Sequence, residues 1–330
     1  MAFSLFLLMA AAVSLTVARR ASADLGVAAA AAAGPPPSLI LVCRGATEPA
    51  DLEDILSIER KFRDAFPCYD TRLAFTSDDI RALWRGRAAD TAFREARPGT
   101  DGRFYEVKNV ISELAAVQET GPRLTLVQGL HLIDGPEYHD LKILVEALRQ
   151  LNPFDRAMAP FPWIGLGHPA LGLGDGQREC IGRVASALSP VFAECSERRA
   201  GVVLVSDPLG GINPVAYRNL SDSLRAVYGL PCGVALHEYR QSLLDTLDSF
   251  SMRCPPPGPI LLAPLAVVMC DEVREDIVGD REDSWVSLCR ARGYETVVRL
   301  EGLGSNGPFA KILVDNLKSE ETALSRRYIG

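Results

Sequence analysis

The chain has 330 residues, 48% of them hydrophobic and 23% charged, with a formal net charge of −7. That balance is too apolar for a disordered protein and fits one large or two medium domains. Its acidity (pI near 5.3) argues against a surface that tracks nucleic acid, and eight Cys with no Cys-x-x-Cys pair exclude a disulfide scaffold, a zinc ribbon and a thioredoxin-like redox site.

The first element is a targeting-type segment. Phe3–Ala18 carries no charge, Arg19 and Arg20 follow, and Ala21-Ser22-Ala23 has the small-x-small pattern of a cleavage site. This predicts a signal peptide over 1–23 and an exported or periplasmic protein. The charges stand after the apolar run instead of before it, which leaves an uncleaved membrane anchor or a cytoplasmic location as alternatives. An apolar run of about sixteen residues is short for a span. Residues 24–37, with Ala28–Ala33 and Gly34-Pro35-Pro36-Pro37, read as a low-complexity linker.

Strands and helices then alternate. Leu39–Cys43 is a buried-type strand, and Asp51–Phe66 carries Leu52, Ile55, Ile58 and Phe62 at helical spacing. Thr71–Thr76 reads as a strand, Asp78–Trp84 as a helix capped from Ser77, and Phe104–Gln118 as one helix. Leu124–Val127, Glu137–Leu151 and Trp163–Leu166 continue as strand, helix and strand. The pattern restarts with strand Gly201–Ser206, helix Pro214–Tyr228, strand Cys232–Leu236 and helix Arg240–Leu247. Strand Ile260–Val268, helix Asp283–Arg292, strand Thr296–Leu300 and a closing helix Pro308–Leu324 complete it. The expected fold is α/β: two similar halves, 38–170 and 171–330, each a parallel sheet flanked by helices, with a cleft between them.

In open parallel sheets, ligands bind beyond the carboxyl ends of the strands. Those ends hold Arg44 and Thr47, His131, Asp207, His237 and Glu238, Cys270, Asp271 and Glu272, and Gly302 with Gly304. His139 reads as a surface residue and His168 as a loop residue. The acidic stretch Asp271–Asp283 reads as a solvated loop, with Asp280 or Asp283 capping the next helix. No phosphate-loop pattern and no Gly-x-Ser-x-Gly elbow occurs, which argues against ATP chemistry and against a hydrolase.

Several of these segments carry a family resemblance. Leu-Val-Cys-Arg-Gly-Ala-Thr at 41–47, Ala-Phe-Thr-Ser at 74–77 and Gln-Gly-Leu-His-Leu-Ile-Asp-Gly-Pro-Glu-Tyr at 128–138 belong to it. So do Leu-Ala-Pro-Leu at 262–265, Gly-Asp-Arg-Glu-Asp-Ser-Trp at 279–285 and Gly-Leu-Gly-Ser-Asn at 302–306. Over about residues 39–317 the chain resembles the sirohydrochlorin cobaltochelatases of anaerobic cobalamin synthesis, in the class II chelatase superfamily. The resemblance implies two Rossmann-like halves around a tetrapyrrole cleft. It also implies ATP-independent insertion of a divalent metal, most readily cobalt, with the metal and the tetrapyrrole as substrates.

The metal-site positions depart from the family pattern. The family's His, Glu and His correspond here to Asp207, His237 and Glu272, while His131 matches as it stands. One imidazole and two carboxylates still suit a divalent ion, and a carboxylate or neutral imidazole can accept the pyrrole protons that metal insertion releases. The resemblance therefore implies metal ligands Asp207, His237 and Glu272, proton acceptors His237 and His131, and tetrapyrrole contacts from Arg44, Thr47 and Gly304. Arg274 is a further candidate cation for substrate carboxylates, Cys270 a candidate soft ligand, and His131 reads equally as a packed residue. The same three substitutions fit a non-catalytic, exported metal- or tetrapyrrole-binding relative. The sequence leaves homo-oligomerisation open.

Overall fold

A computed structural model describes residues 35–122, 124–151, 158–206, 214–237, 239–250 and 254–329. The expected signal peptide at 1–23 and most of the expected linker lie outside these residues, as do Asp207 and Glu238. Among the described residues no helix is long and apolar enough to cross a membrane.

Two four-stranded sheets form, and every strand pair within them is parallel. The first contains β1 (Ser38–Cys43), β2 (Asp70–Phe75), β3 (Leu124–Gly129) and β4 (Trp163–Gly167), in the order β2-β1-β3-β4. The second contains β5 (Gly201–Ser206), β6 (Cys232–Ala235), β7 (Pro259–Leu265) and β8 (Glu295–Val298), in the equivalent order β6-β5-β7-β8. β1 and β5 are central and buried along their whole length. Helices cover both faces of such strands, so their side chains are apolar on both sides and read as continuous runs.

The helices are α1 (Leu52–Ala65), α2 (Asp78–Ala89), α3 (Thr91–Ala96), α4 (Val110–Thr120), α5 (Pro136–Gln150), α6 (Gln177–Ala187) and α7 (Ser189–Arg198). They continue with α8 (Pro214–Tyr228), α9 (Arg240–Phe250), α10 (Asp271–Val278), α11 (Trp285–Ala291) and α12 (Gly307–Ile329). Ser77 Oγ accepts from Ile80 N at the start of α2, the cap expected from the sequence.

Three expectations are corrected. Phe104–Gln118 is not one helix: a short 3-10 turn at Gly102–Glu106 is separated from α4, because Lys108 bridges to Ala74 and its carbonyl accepts from Phe75 N. Asn109 then caps α4 through Ser112 N. The acidic stretch is not a plain loop, since Asp271–Val278 is helical and buries Val273 and Ile277. The cap of α11 is Ser284, whose side chain accepts from Ser287 N, in place of Asp280 or Asp283.

α12 crosses back from the second half. It packs on β4 and α1 of the first, with Leu313 and Leu317 fully buried. Arg149 donates to Glu320 at 2.7 Å, and Tyr69 donates to Glu321. One apolar cluster accordingly runs through both halves, from Leu39, Ile55 and Phe62 to Leu204, Leu265 and Leu317. The two halves are thereby joined through a continuous apolar core.

Candidate functional site

In each sheet the chain reverses its direction of travel beside the central strand, between β1 and β3 and between β5 and β7. Ligands of open α/β sheets gather at the carboxyl ends of such strands. Arg44 and His131 follow β1 and β3, and the 266–272 segment follows β7. His237 follows β6 and is buried.

His237 is fixed from several sides. Its backbone N–H donates to Ser206 Oγ at 3.1 Å, and its carbonyl accepts from Arg240 Nη1 at 3.0 Å. Its ring Nε2 lies 2.8 Å from Asp276 Oδ2, an ion-pair contact and not an aligned hydrogen bond. Asp276, on α10, also meets Arg240 at 2.6 Å and Arg281 at 2.8 Å. Burial pushes the Asp276 carboxyl up, but the bonds and charges from Arg240, the His237 charge and the Arg281 bond outweigh it and hold it below its ordinary value. His237 therefore faces a permanent negative charge.

His131 has a similar companion in the first half. Its Nε2 lies 3.3 Å from Glu137 Oε2, and Thr76 Oγ1 lies 3.5 Å from Glu137 Oε1. Burial raises the Glu137 carboxyl, but the bond and charge of His131 and the charge of Arg44 outweigh it and hold it low. The His131 Nδ1 atom is buried and carries no protein hydrogen bond. Gly129 lets the ring lie there, since a Cβ at that position would overlap Nδ1.

The seam between the halves is built from the segment joining β1 to α1. Arg44 Nη2 donates to Glu272 Oε1 at 3.0 Å, Thr47 Oγ1 donates to Asp271, and Arg274 pairs with Asp51. Arg87, lying over the Trp84 and Phe93 rings at 4.8 and 4.6 Å, donates to the Thr47 carbonyl and fixes that loop. Deeper in the seam, Asp54 of α1 is buried and accepts from Met269 N at 3.3 Å, Gly302 N at 3.1 Å and Ser305 Oγ at 2.6 Å. Burial raises its carboxyl, against the lowering effect of these bonds.

Three sequence expectations meet their surroundings here. Gly304 is buried, and a Cβ on it would overlap the Asp54 backbone, so this glycine admits Asp54. Arg274 pairs with Asp51. Burial pushes the Cys270 thiol up to about 11, so without a metal it is protonated at neutral pH.

The structure brings Arg44, Thr47, Asp271 and Glu272 together at the seam, and it sets His237 on Asp276 and His131 on Glu137. Asp207 lies outside the described residues. Among the described residues no group of three His, Cys, Asp or Glu side chains converges as a ready metal cage, and Glu272 points to Arg44. Sequence reasoning missed Asp276, which it placed in a solvated loop, and Glu137, which lies inside the 128–138 segment without being singled out.

Comparisons with known proteins agree with this architecture. The chain is 27% identical over 268 residues to the sirohydrochlorin cobaltochelatase CbiKC of Nitratidesulfovibrio vulgaris (strain Hildenborough), covering 81% of this chain and 84% of that protein. It superposes on the structure of SirB from Bacillus subtilis with Fe3+ at a TM-score of 0.50 and 12% identity, over 89% of this chain and 98% of that one, a likeness of fold. The family model described as cobalt chelatase (CbiK) matches residues 38–322, which takes in both sheets and most of α12, and the chain belongs to that family.

Proposed function

We propose that this protein inserts a divalent metal, Co²⁺ by preference, into sirohydrochlorin or a close relative without using ATP. The observation that carries the reading is the cobalt chelatase family match across both halves, residues 38–322. The sirohydrochlorin cobaltochelatase relative supports the substrate class.

Insertion removes two pyrrole N–H protons and brings a partly dehydrated cation to the macrocycle face. His237 and His131 each lie beside a carboxylate that stays ionised at neutral pH, so each is suited to accept a proton. In this reading the tetrapyrrole lies between them, with Arg44 and Thr47 at the rim meeting its carboxylates. Glu272, His237 and Asp207 are the proposed metal contacts. A site rich in oxygen donors tolerates harder divalent ions than a two-imidazole site does. Export after removal of residues 1–23 belongs to the same proposal and is tested by the N-terminal sequence of the protein recovered from its cell.

The decisive experiment follows the visible spectrum of sirohydrochlorin with Co²⁺, Fe²⁺ or Ni²⁺, no ATP added, using the mature protein and its His237→Ala variant. Turnover above the spontaneous rate that is lost in the variant supports the proposal, and the preferred ion names the reaction. Binding without turnover would replace it with a carrier role, and absence of both would leave only the fold.

A further inference from the structure

Among the described residues, the carboxylates near the strand ends differ in how firmly they are held. Asp276 is gripped by Arg240 and Arg281, Glu137 by His131 and Thr76, and Asp271 by Thr47. Glu272 is held by Arg44 and by a bond with the protonated Cys270 thiol. The Arg44 and Glu272 side chains are 36% and 55% exposed, so this pair sits at the open rim. An ion pair this exposed is weak and exchanges partners readily, and an arginine fork accepts any carboxylate of suitable geometry. The Arg44 charge also helps to lower the Glu137 carboxyl.

Building on the chelatase reading, we propose that Arg44 is a positioning residue that holds Glu272 away from the metal until a tetrapyrrole carboxylate replaces it. The exchange conserves the number of arginine–carboxylate contacts, so it costs little. It leaves Glu272 with an unpaired negative charge beside the incoming cation. The tetrapyrrole thus prepares the metal site, and the two substrates bind with positive coupling that must be reciprocal.

The test is a double-mutant cycle on the whole protein, reading the Co²⁺ dissociation constant without tetrapyrrole for the wild type, Arg44→Gln, Glu272→Gln and the double variant. Freeing Glu272 by Arg44→Gln tightens Co²⁺ binding about 3- to 5-fold, while the same change in the Glu272→Gln background alters it less than about 1.5-fold. Arg44→Lys, which keeps the charge but loses the fork, gives an intermediate value. Arg44→Gln also weakens metal-free sirohydrochlorin binding, whatever residue stands at 272. Equal tightening in both backgrounds, which bare charge removal would give, overturns the proposal, as does no tightening or unchanged sirohydrochlorin binding. Failure of the wild type to metallate sirohydrochlorin would overturn the chelatase reading itself. A flat cycle with turnover intact would overturn the exchange alone.

Discussion

His237 and Asp276 lie 2.8 Å apart, imidazole Nε2 to carboxylate Oδ2, although their sequence separation and their different elements give no hint of it. A carboxylate beside a functional imidazole fixes the ring's orientation, and removing such a partner typically costs 10–100-fold in metal affinity or activity. We expect Asp276→Asn to lower kcat/KM for Co²⁺ by about that factor, with Asp276→Glu recovering part of it and the circular dichroism spectrum unchanged. A loss below about 2-fold would show that His237 acts without its neighbour.

Glu137 offers a pH signature. Its folded-state carboxyl is held below the ordinary value of 4.5 despite burial. A depressed carboxyl stabilises the fold fully above its unfolded pKa and loses that contribution as the pH falls through its folded pKa. The stability gap between wild type and Glu137→Gln should therefore close as the pH falls through the acidic carboxylate range, below about pH 4.5. Urea midpoints measured between about pH 5 and about pH 3 read it directly, and a gap that widens across that acidic range would contradict the assignment.

The sheets were readable because of what parallel strands demand. Leu39–Cys43 and Gly201–Ser206 are buried on both faces, so their apolar runs stand out. α10 was hidden because it is short and its only buried residues are Val273 and Ile277, set in a stretch of five acidic side chains at 271, 272, 275, 276 and 280. The helices over 177–198 are hard to read from the sequence, since Gly182 and Pro190 interrupt their pattern, although Pro190 stands in the first turn of α7 where proline is tolerated. Asp276, Glu137 and Asp54 were illegible as partners for a different reason. Their meaning lies in contacts made across the tertiary fold, and periodicity reports only local burial.

The cysteines give a third check. Burial pushes the thiols of Cys43, Cys232 and Cys289 up to about 12 and that of Cys270 up to about 11. All four are protonated at neutral pH and react slowly, since the thiolate is the nucleophile. Cys68 is exposed and should be the first site alkylated by iodoacetamide, as read by mass spectrometry of the folded protein. Cys270→Ser should leave Co²⁺ insertion within about 2-fold of the wild type, because a metal drawn by this thiol would first have to displace its proton, and Asp207, His237 and Glu272 are the proposed contacts. A larger loss would add Cys270 to the metal contacts.

The last expectation concerns the clamp that holds the halves together. Asp54→Ala removes the acceptor for Met269 N, Gly302 N and Ser305 Oγ, and leaving buried donors unpaired costs about 1–3 kcal/mol each before relaxation. We expect a loss of about 3 kcal/mol for Asp54→Ala and about 1 kcal/mol for Asp54→Asn, whose oxygen still serves the two amides while Ser305 turns to accept from its NH₂. Gly302→Ala and Gly304→Ala should each cost about 1–3 kcal/mol from overpacking. They differ in which part of Asp54 they strike. A Cβ at 302 meets the Asp54 carboxylate first, whereas a Cβ at 304 meets the Asp54 backbone and Cβ. Shortening Asp54 to alanine relieves the carboxylate overlap at 302, where the Val267 carbonyl stays close, and leaves the overlap at 304. Urea unfolding of the four single and two double variants should therefore give sub-additive losses for Asp54→Ala with Gly302→Ala and additive losses for Asp54→Ala with Gly304→Ala. Additivity in both pairs would mean that the carboxylate does not occupy the space against Gly302.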